Sequence, residues 1–247
     1  MALAARIAVF DIDGVLLPSD VDAVAAYVGA FERCFGVGGI NQDWNSYRTR
    51  NDIGIAEEIL ATHFGRPATV GEIATLFESY LQTLERDLAA NPNRPRPLAG
   101  MGEAVAALAE EGRTALALAT SNVRRAARLR LTRAGLWPHF PYGGFAEDGE
   151  NKTAILEAVL QQIRDLQGGE ISRGSIVFLG DQPSDLAAAG HLGVHFLGVA
   201  QDLQGRESLH RAGARQIVTD LADPAALIAQ LEELWQGPPP ASRIDRI

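Results

Sequence analysis

A chain of 247 residues, 47% hydrophobic and carrying a net charge of −9, has the material for a sizeable core in one large domain or two modest ones. The acidic balance argues against nucleic acid or an anionic membrane as a main partner, and no apolar run approaches the roughly 18 residues a membrane-spanning helix needs. A single cysteine, Cys34, rules out an internal disulfide and fits a reducing cytoplasm.

The opening MALAARIAVF has a faint signal-peptide look, but it runs into Asp11 and Asp13 without a cleavage site. Residues 5–10 read instead as a buried central strand ended by the polar DIDG. From Asp20 to Asn91 the pattern is helical: DVDAVAAYVGAFERCFG, NDIGIAEEILATHFG and TVGEIATLFESYLQTLERDL each have a cap signal and a Gly or Asn stop. NPNRPRP, residues 91–97, is a stiff linker. Beyond it, helices and strands alternate. Helix MGEAVAALAEEG leads to strand TALALAT, helix NVRRAARLRLTRAG and a short segment near YGGFAED. Helix KTAILEAVLQQIRDL, strand SIVFLGD, helix SDLAAAGHLG and strand VHFLGVA follow. A helix near 206–212, strand RQIVTD and helix PAALIAQLEELW complete the series, and the tail QGPPPASRIDRI reads as extended. Unbroken apolar strands between helices predict an α/β fold, a Rossmann-like doubly wound parallel sheet covered on both faces. Residues 1–17 and 98–247 form this core, and residues 18–97 form an inserted helical cap.

Ligands of such sheets bind beyond the carboxyl ends of the strands. That rule gathers Asp11 and Asp13, then Thr120, Ser121 and Asn122, then Asp181 with Asp185 one helical turn on, and Lys152 at the start of a helix. Several carboxylates at one point repel each other unless a cation holds them. A hard, oxygen-preferring ion such as Mg²⁺ suits them. The histidines at 63, 139, 191, 195 and 210 are scattered and offer no zinc cluster. Lys152 is the only lysine among 22 basic residues, where arginine is written everywhere else. It reads either as a solvated first-turn residue or as a compact ammonium that a planar guanidinium cannot replace. Beside a dication, a hydroxyl and exposed amides, it would complete a phosphate pocket within an acidic protein.

At these positions the sequence resembles the haloacid dehalogenase-like hydrolase superfamily. FDIDGVLL is similar to its first motif, ALALATSN to its second, Lys152 to its third and LGDQPSD to its acidic fourth. The four stand in order over nearly the whole chain. The helical insertion resembles the cap of the phosphoglycolate phosphatase and β-phosphoglucomutase branch. Lys152 is followed by Thr153 where that branch often has proline.

The resemblance implies a Mg²⁺-dependent phosphatase acting on a small phosphorylated metabolite. Asp11 would attack phosphorus to give an aspartyl-phosphate, and Asp13 would protonate the leaving oxygen and then activate water. Asp11, the backbone carbonyl of Asp13 and Asp181 would hold the metal, with Asp185 in or just behind that shell; Asp185 also reads as an ordinary first-turn acid. Thr120 and the Ser121 amide would bind a phosphoryl oxygen, and Lys152 would neutralise its charge. Dehalogenases of the superfamily lack an acid at the position of Asp13, which favours phosphoryl transfer here.

Arg48, Arg50 and Asp52 of the cap read either as substrate contacts or as cap surface. Arg124, Arg125, Arg128, Arg130 and Arg133 read as a solvated helix face, and Cys34 as core packing. Trp44 either stacks on substrate or anchors the cap. The runner-up activity is a sugar phosphomutase, whose β-phosphoglucomutase pattern places a histidine in the first cap helix; residues 20–35 contain none. A phosphonate-cleaving enzyme would need a cap lysine. A receiver-like signalling module would not carry the helical insertion or place Lys152 before the acidic GDQPSD, and an idle sugar-phosphate binder would not need Asp13 as acid/base.

Overall fold

The computed structural model describes residues 6–91, 93–169, 171–219, 221–238 and 240. The opening residues weighed as a leader, the last residue of the strand expected over RQIVTD, and most of the extended tail lie outside them.

Among the described residues, six parallel strands form one sheet: β1 (Arg6–Phe10), β2 (Thr114–Ala119), β3 (Tyr142–Gly144), β4 (Ile176–Gly180), β5 (His195–Val199) and β6 (Ile217–Val218). Their order is β3-β2-β1-β4-β5-β6, so β1 lies centrally and the chain winds outward on both sides of it. The alternation of β1 feeds two cores, as a strand period of two requires. Ala8 and Phe10 pack with helices α4 (Met101–Glu111) and α9 (Pro224–Gln236), through Met101, Leu108, Leu227 and Leu231. Ile7 and Val9 face α6 (Lys152–Gln167) and α7 (Pro183–Leu192), through Ile155, Val159, Ala188 and Leu192. Each large apolar side chain so buried contributes about 1.5–3 kcal/mol. Two further helices, α5 (Arg124–Arg133) and α8 (Leu203–Ala212), bury Ala127, Leu131 and Leu209.

Between β1 and α4 stand three cap helices, α1 (Val21–Phe35), α2 (Asp52–Phe64) and α3 (Val70–Ala90). Their start signals act as the sequence suggested. Asp20 caps α1, Asn51 caps α2, and Thr69 with Glu72 forms a capping box on α3. The cap has its own aromatic centre, where Tyr27 meets Phe31, Trp44, Phe77 and Tyr80. Trp44 therefore anchors the cap. Cys34 is only half-buried, its thiol 3.8 Å from the Thr75 carbonyl. The cap core also takes in Val123 and Ala126 of the α5 region and Ala146, so the cap is packed down on the sheet domain. The two connections between cap and core run together, with the Leu98 N–H donating to the Leu16 carbonyl at 3.0 Å. Among the described residues, no helix is long and apolar enough to cross a membrane.

Candidate active site

The chain leaves β1 in a tight loop whose Gly14 has φ of 76°, a conformation costly for any residue with a side chain. A Cβ there would lie 2.3 Å from an Asp181 carboxylate oxygen, so glycine is needed twice over. The loop carries Asp11 at the sheet edge, 7% exposed. Its Oδ1 accepts from the Ile12 N–H at 2.8 Å, and its Oδ2 accepts from Lys152 Nζ at 2.6 Å. Lys152 stands at the first position of α6, after Asn151, whose side chain caps that helix. From there its ammonium also reaches Asp185 Oδ1 at 3.2 Å and the Ala119 carbonyl at 3.4 Å. The lone lysine is thus a buried ion-pair partner of the predicted nucleophile, not a solvated first-turn residue.

Asp181 directly follows β4, and Asp185 lies in the first turn of α7, fully buried. Asp185 Oδ2 accepts from the Gln182 N–H at 3.0 Å, while Oδ1 makes no hydrogen bond and lies 3.2 Å from the Lys152 ammonium. Asp185 is therefore both a helix-start acid and a member of the cluster. Oxygens of Asp11, Asp181 and Asp185 lie within 4.8 Å of one another. Three carboxylates face one ammonium, an excess of negative charge in a largely dry place. Burial, helped by Asp185, pushes Asp11 up to about 6 against the pull of Lys152. Burial together with Asp11 and Asp185 pushes Asp181 up to about 7. Burial works against the charged form of Lys152, but Asp11 and Asp185 more than offset it and its pKa is raised. An all-oxygen donor set with surplus charge fits a hard divalent cation.

Asp13, two residues beyond Asp11, has a different neighbourhood. Arg130 NH2 donates to its Oδ1 at 2.5 Å, and Arg130 NH1 and Asn122 Nδ2 donate to its Oδ2 at 3.1 and 2.9 Å. Burial would raise its pKa, but the charge and hydrogen bonds of Arg130 dominate and hold it below the ordinary carboxylate value. Arg130 corrects the expectation of a solvated helix face. It is 1% exposed, while Arg124, Arg125, Arg128 and Arg133 of the same helix are exposed. A signal existed in the sequence: with Ala126, Ala127 and Leu131, Arg130 falls on the apolar stripe of α5.

Thr120 directly follows β2 and is fully buried, its Oγ1 accepting from Asn122 Nδ2 at 2.9 Å. Ser121 lines a cleft of about 660 Å³ together with Lys152, Asn151, His191 and the exposed cap residues Arg48 and Arg50. Asp52 is not among the lining residues. Its carboxylate accepts from the Val123 N–H at 2.9 Å, and its own N–H donates to the Ser121 carbonyl at 3.0 Å. Burial pushes Asp52 up to about 7. Asn51, 3% exposed, caps α2 through the Gly54 N–H and donates across to the Gly149 carbonyl, both at 2.7 Å. Asn51 and Asp52 thus dock the cap onto the segments carrying Ser121 and Lys152. Sequence reasoning read Arg130 as helix surface and Asn51 as a helix start, and placed neither at this site.

Solved structures share this fold. A β-phosphoglucomutase from Clostridium difficile aligns with a TM-score of 0.68 and 15% identity, covering 96% of this chain and 98% of that one. A predicted phosphoglycolate phosphatase from Haemophilus somnus aligns with a TM-score of 0.66 and 17% identity, covering 90% and 97%. A hydrolase from Pseudomonas syringae gives 0.65 and 21%, covering 92% and 98%. No curated protein matches the sequence. At such identities the neighbours establish the fold, with its inserted cap, and not the reaction. The model of the haloacid dehalogenase-like hydrolases, however, matches residues 8–199, which hold every aspartate of the cluster, the buried lysine and the whole cap. The chain belongs to the haloacid dehalogenase-like hydrolase family.

Proposed function

We propose that this hydrolase is a Mg²⁺-dependent phosphatase that cleaves a small phosphate monoester through an aspartyl-phosphate on Asp11. The observation that carries the reading is the Lys152–Asp11 pair at 2.6 Å, set against Asp181 and Asp185 at the mouth of the sheet. Asp11, Asp181 and Asp185, with the Asp13 backbone carbonyl, would hold the metal. When bound, the metal supplies positive charge that offsets phosphoryl and carboxylate repulsion.

The chain's own residues then divide the work. An Asp11 carboxylate oxygen forms a bond to phosphorus as the bond to the ester oxygen breaks, and Asp13, which must first take up a proton against the pull of Arg130, delivers it to that oxygen. In the second half, Asp13 takes a proton from water, the new oxygen bonds to phosphorus, and the bond to Asp11 breaks. Lys152 keeps Asp11 oriented and counters charge on the phosphoryl group. Thr120 and the Ser121 amide hold phosphoryl oxygens. Arg48 and Arg50, which line the same cleft, favour a substrate with a second anionic group. Asp52 belongs to cap docking in this reading. The substrate in this reading is a small phosphorylated metabolite of the cytoplasm, in keeping with the single cysteine, and the net charge of −9 argues against nucleic acid or an anionic membrane.

The test is phosphate release from a panel of small monoesters and sugar bisphosphates, with and without Mg²⁺, for wild type and Asp11→Asn. Metal-dependent release that vanishes in the variant supports the reading. Transfer of phosphate between sugar positions without net release would replace it with the mutase.

A further inference from the structure

Arg130 is a large side chain held wholly inside the protein, and its partners account for its place there. Two of its nitrogens bond Asp13, NH1 also donates to Asn122 Oδ1 at 3.1 Å, and Nε lies 3.6 Å from Asp20 Oδ2. Asn122 closes a ring, donating to the same Asp13 oxygen that NH1 contacts and to Thr120 Oγ1. Asp13 is therefore fixed in both rotamer and plane by a fork that only a guanidinium presents. Its side chain nevertheless remains 37% exposed, while that of Arg130 is 2% exposed. The arginine has no access to substrate and acts from behind.

Asp20 gives the arrangement a second end. Its Oδ1 accepts from the N–H groups of Asp22 and Ala23 and so begins α1, the first helix of the cap, while its Oδ2 faces the guanidinium. One buried cation thus stands between the two carboxylates, hydrogen-bonded to Asp13 and paired with Asp20 at 3.6 Å by charge alone. Asp52, beginning α2, binds the Val123 N–H just before the helix that carries Arg130.

We infer that Arg130 is the positioning residue for Asp13, aiming its carboxylate at the leaving oxygen and linking that aim to the seating of the cap through Asp20. The inference rests on the phosphatase reading and assigns Arg130 no contact with substrate.

Leaving-group dependence separates positioning from mere stability. The value of kcat/KM reports the steps through departure of the ester oxygen, where an alkyl ester needs a proton and p-nitrophenyl phosphate, which departs as a stable phenolate, does not. Arg130→Met, shown to be folded by circular dichroism, should lose about 100-fold or more in kcat/KM on the best alkyl phosphate of the panel. On p-nitrophenyl phosphate it should lose less than about 10-fold, because general acid help is dispensable there. Arg130→Lys, which keeps the charge but not the fork, should fall between Met and wild type on the alkyl ester. Should Arg130→Met not fold, Asp20→Asn carries the test, with a smaller loss biased the same way. Equal losses on both esters, or none, in an active wild-type background would overturn the role of Arg130 alone. A wild type without phosphatase activity on either ester would overturn the underlying reading as well.

Discussion

Asp11 and Asp13 stand two residues apart on one loop, yet their surroundings push them in opposite directions. Asp11 sits among two further carboxylates and one ammonium, and burial lifts it to about 6. Asp13 sits against a guanidinium and an amide, and is held below its ordinary value. The contrast lies in the cations. A lysine ammonium is a point charge that Asp11 and Asp185 can share while the cluster keeps surplus negative charge for a metal. An arginine fork saturates one carboxylate and fixes its plane. The single lysine of the chain falls where one point charge is shared between two carboxylates.

The sharpest way to break this comparison is to put the wrong cation in place. Lys152→Arg keeps the charge but cannot fit the buried space between Asp11 and Asp185, and kcat should fall roughly 10²–10³-fold, as for loss of one preorganised charge donor. Unchanged kinetics would mean that any cation suffices there.

A smaller effect concerns metal and pH. Asp11 and Asp181 have metal-free values of about 6 and about 7, so each is partly protonated at and below neutrality. A metal must displace those protons. Its affinity should therefore rise with pH through the window from about 6 to about 7, by roughly tenfold per unit where one proton is released. Titration calorimetry in buffers of different ionisation enthalpy would count the protons, and a pH-independent affinity would contradict the assignment of these carboxylates.

The smallest expected effect tests the docking of the cap. Asn51→Ala removes the cap of α2 and the hydrogen bond to the Gly149 carbonyl. It should cost about 1–3 kcal/mol, read by denaturant unfolding. KM should rise more than kcat falls, because the chemical groups themselves are untouched. Stability equal to wild type would show that the interdomain bond carries no weight in solution.

The strands and helices were largely legible because apolar runs, caps and glycine stops have local causes; Asp20, Asn51 and Thr69 all cap where the pattern placed a start. The gathering of Asp11, Asp181, Asp185 and Lys152 was legible too, since parallel strands must deliver their ends to one edge. What could not be read depends on packing between distant segments. Arg130 meets Asp13 across 117 residues of chain, and Asn51 meets Gly149 across 98. Charge alone favours the surface for an arginine, and only its place among alanines and a leucine on α5 hinted otherwise. The positions of Arg48 and Arg50 follow from how the cap is seated, which no local pattern encodes.

The central claim is that Asp11 takes up the phosphoryl group while Lys152 and the metal share its charge. Acid quenching during turnover of the best panel substrate, followed by peptide mass spectrometry, tests it most directly. The account predicts one phosphoryl group on the peptide containing Asp11, labile to hydroxylamine and absent from Asp11→Asn. Steady turnover with no covalent phosphate, or with phosphate on another residue, would contradict it.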